Sequence, residues 1–195
     1  MIEVTVKNIL FFSKAAAPGY TLFLQPFGDD PRSLPIVVGQ FEAQAIALAM
    51  EGIKLEQPMT HDLLSALIDT MTDGLESISI HSLKEGTFLA QLHIRDDKNV
   101  EFIDARPSDA IALALRAGVP IHVNPEVFVE AAVVMPASEE EKEHTSPSFS
   151  ENIRTITREA ELRYDLEKDL VEAVSREDYE QAAKIRDRLH TLSDH

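Results

Sequence analysis

The sequence contains no cysteine, which excludes disulfides, thiolate metal sites and cysteine nucleophiles together. Basic residues are scarce: 18 Lys and Arg stand against 34 Asp and Glu, a formal net charge of −16. Sequence-independent nucleic-acid binding draws most of its free energy from basic side chains neutralising phosphates, so a chain this acidic is expected to bind DNA or RNA weakly. Divalent cations bridging carboxylates to phosphates, or a local basic patch, would relieve the deficit; no strong basic run is present. No apolar run approaches the roughly 18 residues of a membrane span. The start, MIEVTVKN, has neither the basic residues nor the apolar stretch of a secretion signal. No membrane role is expected, and a cytoplasmic location is the simplest expectation. Glycine and proline are absent from Glu151 onward, which leaves that region free of helix breakers.

What is present centres on residues 104–121, DARPSDAIALALRAGVPI. Val100, Phe102 and Ile103 read as a strand, Arg106-Pro107 stops it, and Ser108 and Asp109 stand where an N-cap or first-turn acceptor belongs. Ala110 to Ala117 is helix-forming, Gly118 ends it and Pro120 begins an extended piece. A strand feeding a helix through this turn gathers Asp104, Arg106, Ser108 and Asp109 at one end of a sheet, where sites tend to be built. The phrase occurs twice: QAIALAM at 44–50 and DAIALAL at 109–115, each after a short strand and a turn. This reads as an internal repeat. It puts Glu42 near the place Asp109 occupies in the second copy, so that two acids would face each other across a pseudo-twofold axis. Each acid alone is sufficiently explained by its attraction to a helix start, roughly 0.3–1 kcal/mol.

In chain order, alternation predicts strands over Ile2 to Phe12 and Tyr20 to Gln25, and Leu34 to Val38 is apolar enough to be central. Gln40 to Gly52 reads as a helix. A second, His61 to Met71, has Thr60 as its cap and Leu63, Leu64, Leu67, Ile68 and Met71 on one face. Ile78 to His81 and Phe88 to Arg95 form a hairpin about Glu85-Gly86, with His81, His93 and Arg95 on its polar face. A short helix covers Glu126 to Ala131. The fold expected is α+β: a duplicated strand-strand-strand-helix unit forming a mixed or antiparallel sheet with packed helices, plus a C-terminal α-helical hairpin. The domains expected are 1–136, an acidic, Ser-rich linker over 137–150, and a hairpin over 151–195. In the hairpin, Ile153, Ile156, Ala160, Leu166, Leu170 and Val174 form one stripe. Ser175 to Asp178 offer caps for a restart, and Ala182, Ile185, Arg186, Leu189 and Leu192 form a second stripe. A hairpin this small needs a partner, a second copy or the main domain to cover it. Exposed β-edges point the same way, towards a homo-oligomer.

Residues 1–136 resemble the bifunctional nuclease domain family, through LPIVVGQFEAQAIALAMEG (34–52), PMTHDLL (58–64) and DARPSDAIALALRAGVPI (104–121). One departure is Gln57, which precedes Pro58 where the family commonly has Arg; one potential phosphate contact is missing. Residues 162–192 are similar to the UVR motif, with EDYEQAAKIRDRL (177–189) as its core. That resemblance implies a protein partner and does not itself imply DNA contact.

The first resemblance implies a nuclease acting on DNA, RNA or both. The residues permit metal-assisted phosphodiester hydrolysis: Glu42, Asp104 and Asp109 would hold Mg²⁺ or Mn²⁺, Arg106 would clamp the phosphate, and His61 or Asp62 would be the base. No organic cofactor is expected. Each residue also has a plain structural duty: Asp109 at a helix start, Arg106 as partner of Asp104 or Asp109, Ser108 as a cap, His61 and Asp62 as first-turn residues. An internal salt-bridge network would look the same in sequence, so the resemblance rather than the spacing favours a nuclease. The competing class is a non-enzymatic adaptor acting through the UVR-like hairpin. A weaker one is a small-ligand sensor using the two helix starts as an anion site.

Overall fold

The computed structural model describes residues 1–12, 19–97 and 99–134, together with 166, 168–170, 173, 176, 178, 181–186 and 188. The chain divides into two compact units, Met1–Phe149 and Ser150–His195. In the first unit, the strands are β1 (Ile2–Phe12), β2 (Gly19–Pro26), β3 (Arg32–Val38), β4 (Leu75–Lys84), β5 (Thr87–Asp96), β6 (Asn99–Ala105), β7 (Ile121–Val123) and β8 (Val133–Val134). The helices are α1 (Gln40–Met50), α2 (Thr60–Met71), α3 (Pro107–Ala117) and α4 (Pro125–Ala131).

The strands form one mixed sheet in the order β6-β5-β4-β7-β1-β2-β3-β8. All neighbours are antiparallel except β4 and β7. Two meanders, β1-β2-β3 and β4-β5-β6, thus flank β7, and each is followed in the chain by a helix. Cross-strand register shows why the alternating pattern was informative. Val4, Ile121, Ile78 and Leu92 lie in one row across four strands, and all are buried. One residue along, Glu3, His122, Ser79, Gln91 and Asp104 form a polar row. Strand pleating sends these two rows to opposite faces.

The helices build a layer in which α3 is central. It packs on β4 and β5, with α1 and α2 against it. Ala110, Ile111, Ala112, Leu113 and Ala114 of α3 are all buried, as are Ala43, Ala45, Ile46, Ala47 and Leu48 of α1. The small alanines let these two helices approach closely while Ile and Leu fill the core. The layer stops short of β6: Ile103, which continues the apolar row, is 49% exposed. The expected apolar face of α2 is corrected here, since only Ile68 is buried, while Leu63, Leu64, Leu67 and Met71 are exposed. The helix sits at the periphery of the layer, against α3 and the start of the second meander, and one turn suffices to anchor it.

Gly118 caps α3 with φ of 66°, and its N–H donates to the Ala114 carbonyl. A Cβ there would meet no atom within 4 Å, so Gly118→Ala isolates the cost of left-handed backbone. An expected loss of about 1 kcal/mol follows, read from urea unfolding.

On the polar face, His93 is wedged between two serines, Nδ1 at 3.0 Å from Ser77 Oγ and Nε2 at 2.8 Å from Ser79 Oγ. The Phe102 ring meets it edge-on at 4.8 Å. Burial, then the charges of His122 and His81, push the His93 pKa down against the opposing pull of Glu76. A histidine with a depressed native pKa binds fewer protons folded than unfolded. Its contribution is full above the unfolded value of about 6.5 and is lost as pH falls below it. Unfolding free energy is therefore expected to decline on acidification through the pH range below about 6.5, and His93→Gln should flatten that slope.

In the second unit, 166, 168–170, 173, 181–186 and 188 are helical. Leu166, Ala173, Ala182 and Ile185 are buried together with Leu170 packed beside them. Asp178 caps the restart: its carboxylate accepts from Gln181 N at 3.1 Å and its carbonyl from Ala182 N at 3.0 Å. Arg186, expected on the apolar stripe, is exposed. Ile153, Ile156, Ala160, Val174, Leu189 and Leu192 lie outside the described residues, as does the 137–150 linker.

Candidate functional site

The first turns of α1, α2 and α3 meet around Arg106. Arg106 is the N-cap residue of α3, with extended backbone, because Pro107 follows it: proline supplies N1 and disfavours α backbone in the residue before it. Asp109 then falls one turn in, and the guanidinium folds back onto it side-on, Nε to Oδ2 at 2.7 Å and Nη2 to Oδ1 at 2.9 Å. Nη1 donates to Glu42 Oε1 at 2.9 Å, joining the starts of α3 and α1. From α2, His61 Nε2 lies 3.2 Å from Asp109 Oδ1. Gly39, the N-cap of α1, makes room for the Glu42 carboxylate, which a Cβ at 39 would strike.

Burial pushes the Asp109 carboxyl up, but hydrogen bonds from Arg106 and His61, aided by their charges, win and hold it below the ordinary carboxylate value. The same carboxylates raise the Arg106 pKa further above its already high value. Three of the five guanidinium N–H groups are committed, leaving two without a partner among the described residues, on a side chain that is 65% exposed. In the neutral tautomer that donates Nε2–H to Asp109, the His61 lone pair lies on Nδ1.

Of the residues expected at the site, Glu42, His61, Arg106 and Asp109 come together. Asp104 does not join them: β6 runs on to Ala105, so Asp104 is a strand residue on the polar row, where it accepts from Gln91 Nε2 at 2.8 Å. Asp62 is adjacent but fully engaged. Its Oδ2 accepts from Met59 N at 2.8 Å and its Oδ1 from Arg116 Nε at 2.6 Å. Burial pushes its carboxyl up, and the bonds from Arg116 and Met59 N more than offset that. Two caps also differ from expectation. Met59, not Thr60, is the N-cap of α2, and Ser108 is buried one residue inside α3 rather than capping it.

Arg116 is the residue that sequence reading missed. From the last turn of α3 it bonds Asp62 of α2, the Ala45 carbonyl of α1 at 3.0 Å and the Ala112 carbonyl of α3 at 3.0 Å, tying three helices behind the site. Its signal was a lone charge in the otherwise apolar run 110–117. An open cleft of about 470 Å³ adjoins this pair, between Asp62, Asp69, Arg116 and the apolar Leu48, Ile53 and Leu115.

A resident divalent cation does not fit the side chains as they stand. Arg106 fills the space between Glu42 and Asp109 that a cation would take, and Asp104 is bonded to Gln91. Among the described residues no three His, Asp or Glu side chains are grouped to hold an ion.

These features define an α+β domain whose polar centre is assembled from three helix starts around one guanidinium. Residues 23–136 match the bifunctional nuclease domain, and the chain belongs to that family. Residues 159–194 match the UvrB/uvrC motif. An uncharacterized protein of Mycobacterium tuberculosis is 44% identical over 115 residues, 59% of this chain and 68% of the relative. Bifunctional nuclease 2 of Arabidopsis thaliana is 26% identical over 165 residues, and the bifunctional nuclease of Oryza minuta is 22% identical over 182. The matches cover 80% and 89% of this chain but only 50% and 55% of those plant proteins. No helix among the described residues is long and apolar enough to cross a membrane.

Proposed function

We propose that the chain is a nuclease that hydrolyses phosphodiester bonds of DNA, RNA or both, with its C-terminal region binding a protein partner. The observation that carries the reading is the hydrogen-bonded array His61–Asp109–Arg106 at the meeting of three helix starts. Arg106 turns its two uncommitted N–H groups to a phosphate oxygen, as guanidinium geometry suits. His61, oriented by Asp109 through Nε2, accepts at Nδ1 the proton of a water that attacks phosphorus. The P–O ester bond opposite the attacking water breaks, solvent protonates the leaving oxygen, and the imidazolium returns its proton to solvent. Asp62, bonded at both oxygens, positions the first turn of α2 and does not act as the base. Glu42 holds Arg106 in place. The Mg²⁺ or Mn²⁺ expected from the sequence has no ready ligand set here, so its part is read by adding each metal, or EDTA, to the cleavage assay.

The net charge of −16 predicts weak substrate binding, and the few basic side chains available to neutralise phosphates predict only a shallow loss of affinity as salt rises. The UvrB/uvrC motif match supports a second reading, an adaptor acting through residues 159–194 without catalysis. Deleting 137–195 separates the two. A nuclease retains cleavage in 1–136, whereas an adaptor shows none in either form and loses its partner on truncation.

A further inference from the structure

We infer that the chain pairs with a second copy of itself through β6, continuing the sheet across a twofold axis at Phe102. β6 bonds β5 on one side and has no strand on its other side among the described residues. Exposed edges are ordinarily blunted by brevity, bulges, charged side chains, proline or a covering element. The opposite edge obeys this, since β8 is two residues long. By contrast, β6 is seven residues long, NVEFIDA, with no proline and with Glu101 and Asp104 as its charged residues, and its register with β5 is unbroken from Asn99 to Ala105. It carries exposed apolar side chains on both faces, Phe102 at 60% and Val100 at 38% on one, Ile103 at 49% on the other.

The occupant follows from self-complementarity. In an antiparallel pair related by a twofold normal to the sheet, one residue lies on the axis opposite its own copy. The middle residue of β6 is Phe102, and only that register uses all seven residues of both strands. There Phe102 faces Phe102, Val100 faces Asp104 and Glu101 faces Ile103, with no like charges opposed. Sliding one residue towards the N-terminus sets Glu101 against Glu101, and two towards the C-terminus sets Asp104 against Asp104, both destabilising. Phe102 is already held by its edge contact with His93, so its ring is presented in place. The pairing also sets Ala105 opposite Asn99 of the second copy, so the start of β6 in one copy lies beside the Arg106 turn of the other. This inference is independent of the nuclease reading.

The absence of cysteine makes the test direct. Full-length Phe102→Cys protein is mildly oxidised. Directly opposed Cα atoms lie about 4.5–5.5 Å apart, within disulfide range, and a covalent dimer is expected. Val100→Cys alone should not cross-link, because its two copies would stand about 14 Å apart. A mixture of Val100→Cys and Asp104→Cys chains should. Wild type is expected to be dimeric by light scattering and to dimerise more tightly as salt screens two acidic copies. Phe102→Asp, with unchanged circular dichroism, should dimerise at least about ten-fold more weakly because it opposes two charges on the axis. A monomeric wild type, a dimer in which Phe102→Cys fails to cross-link, or Val100→Cys cross-linking alone as readily as Phe102→Cys would each overturn the proposal.

Discussion

Arg106→Ala is expected to lower cleavage by about 10²–10³-fold, the usual cost of removing one preorganised donor to a reacting phosphate or oxyanion. The loss has two sources on this framework. The substitution removes the N–H groups offered to the phosphate, and it leaves Glu42 and Asp109 facing each other without the cation that joins them. Arg106→Lys should recover only part, because an ammonium cannot bind Asp109 side-on and reach Glu42 as well. The variant has a signature outside activity. Asp109, held low by Arg106 and His61 against burial, gives stability that is present above its unfolded pKa of about 3.9 and is lost as pH falls through the native value. Without Arg106 that carboxyl rises, so the acid limb of the unfolding free energy should flatten, as read from urea titrations at successive pH values. Wild-type cleavage and an unchanged acid limb in Arg106→Ala would remove Arg106 from the account.

Arg116→Ala should be the more damaging change to the fold, by about 2–4 kcal/mol. The Arg116 side chain is 9% exposed, and truncation orphans its bond to Asp62 and those to the Ala45 and Ala112 carbonyls. Asp62 is 38% exposed and can rehydrate, which keeps the loss below that of a fully buried pair. For a domain whose total stability is about 5–15 kcal/mol, such a loss is readily seen as a shift in urea midpoint. Arg116→Met, which keeps much of the stem's packing, should recover part of it. Because Arg116 anchors the turn that carries His61, residual folded protein should also cleave more slowly. An Arg116→Ala midpoint equal to wild type would show that the three helices do not depend on this side chain.

Much of this architecture was legible because strand and helix periods write themselves into the sequence. Ile78 and Ile80 alternating with serines, and Glu85-Gly86 between apolar runs, announce the β4-β5 hairpin; Gly118 announces the end of α3. Arg106 and Asp109 were legible from Pro107 and the helix start, and Glu42 from its place just before the first AIALA phrase. Asp104 was misplaced because the apolar pattern of β6 stops at Ile103, whereas its ladder with β5 continues through Asp104 opposite Gln91 and Ala105 opposite Ala90. Hydrogen bonding sets the end of a strand, and that information lies in the partner. The apolar stripe of α2 misled for a related reason. Periodicity reports which face is apolar, but whether anything covers it depends on how far the helical layer extends. Arg116 escaped notice because its three acceptors come from positions 45, 62 and 112, which only the folded chain brings together.

The central claim is tested most directly by hydrolysis of labelled single- and double-stranded DNA and of RNA. Purified wild type would be compared with His61→Ala and Asp109→Asn variants shown to be folded, each with Mg²⁺, with Mn²⁺ and with EDTA. Cleavage by wild type that falls by at least about 10²-fold in both variants is the predicted result. No cleavage by wild type under any of these conditions, or equal cleavage by the variants, would contradict it.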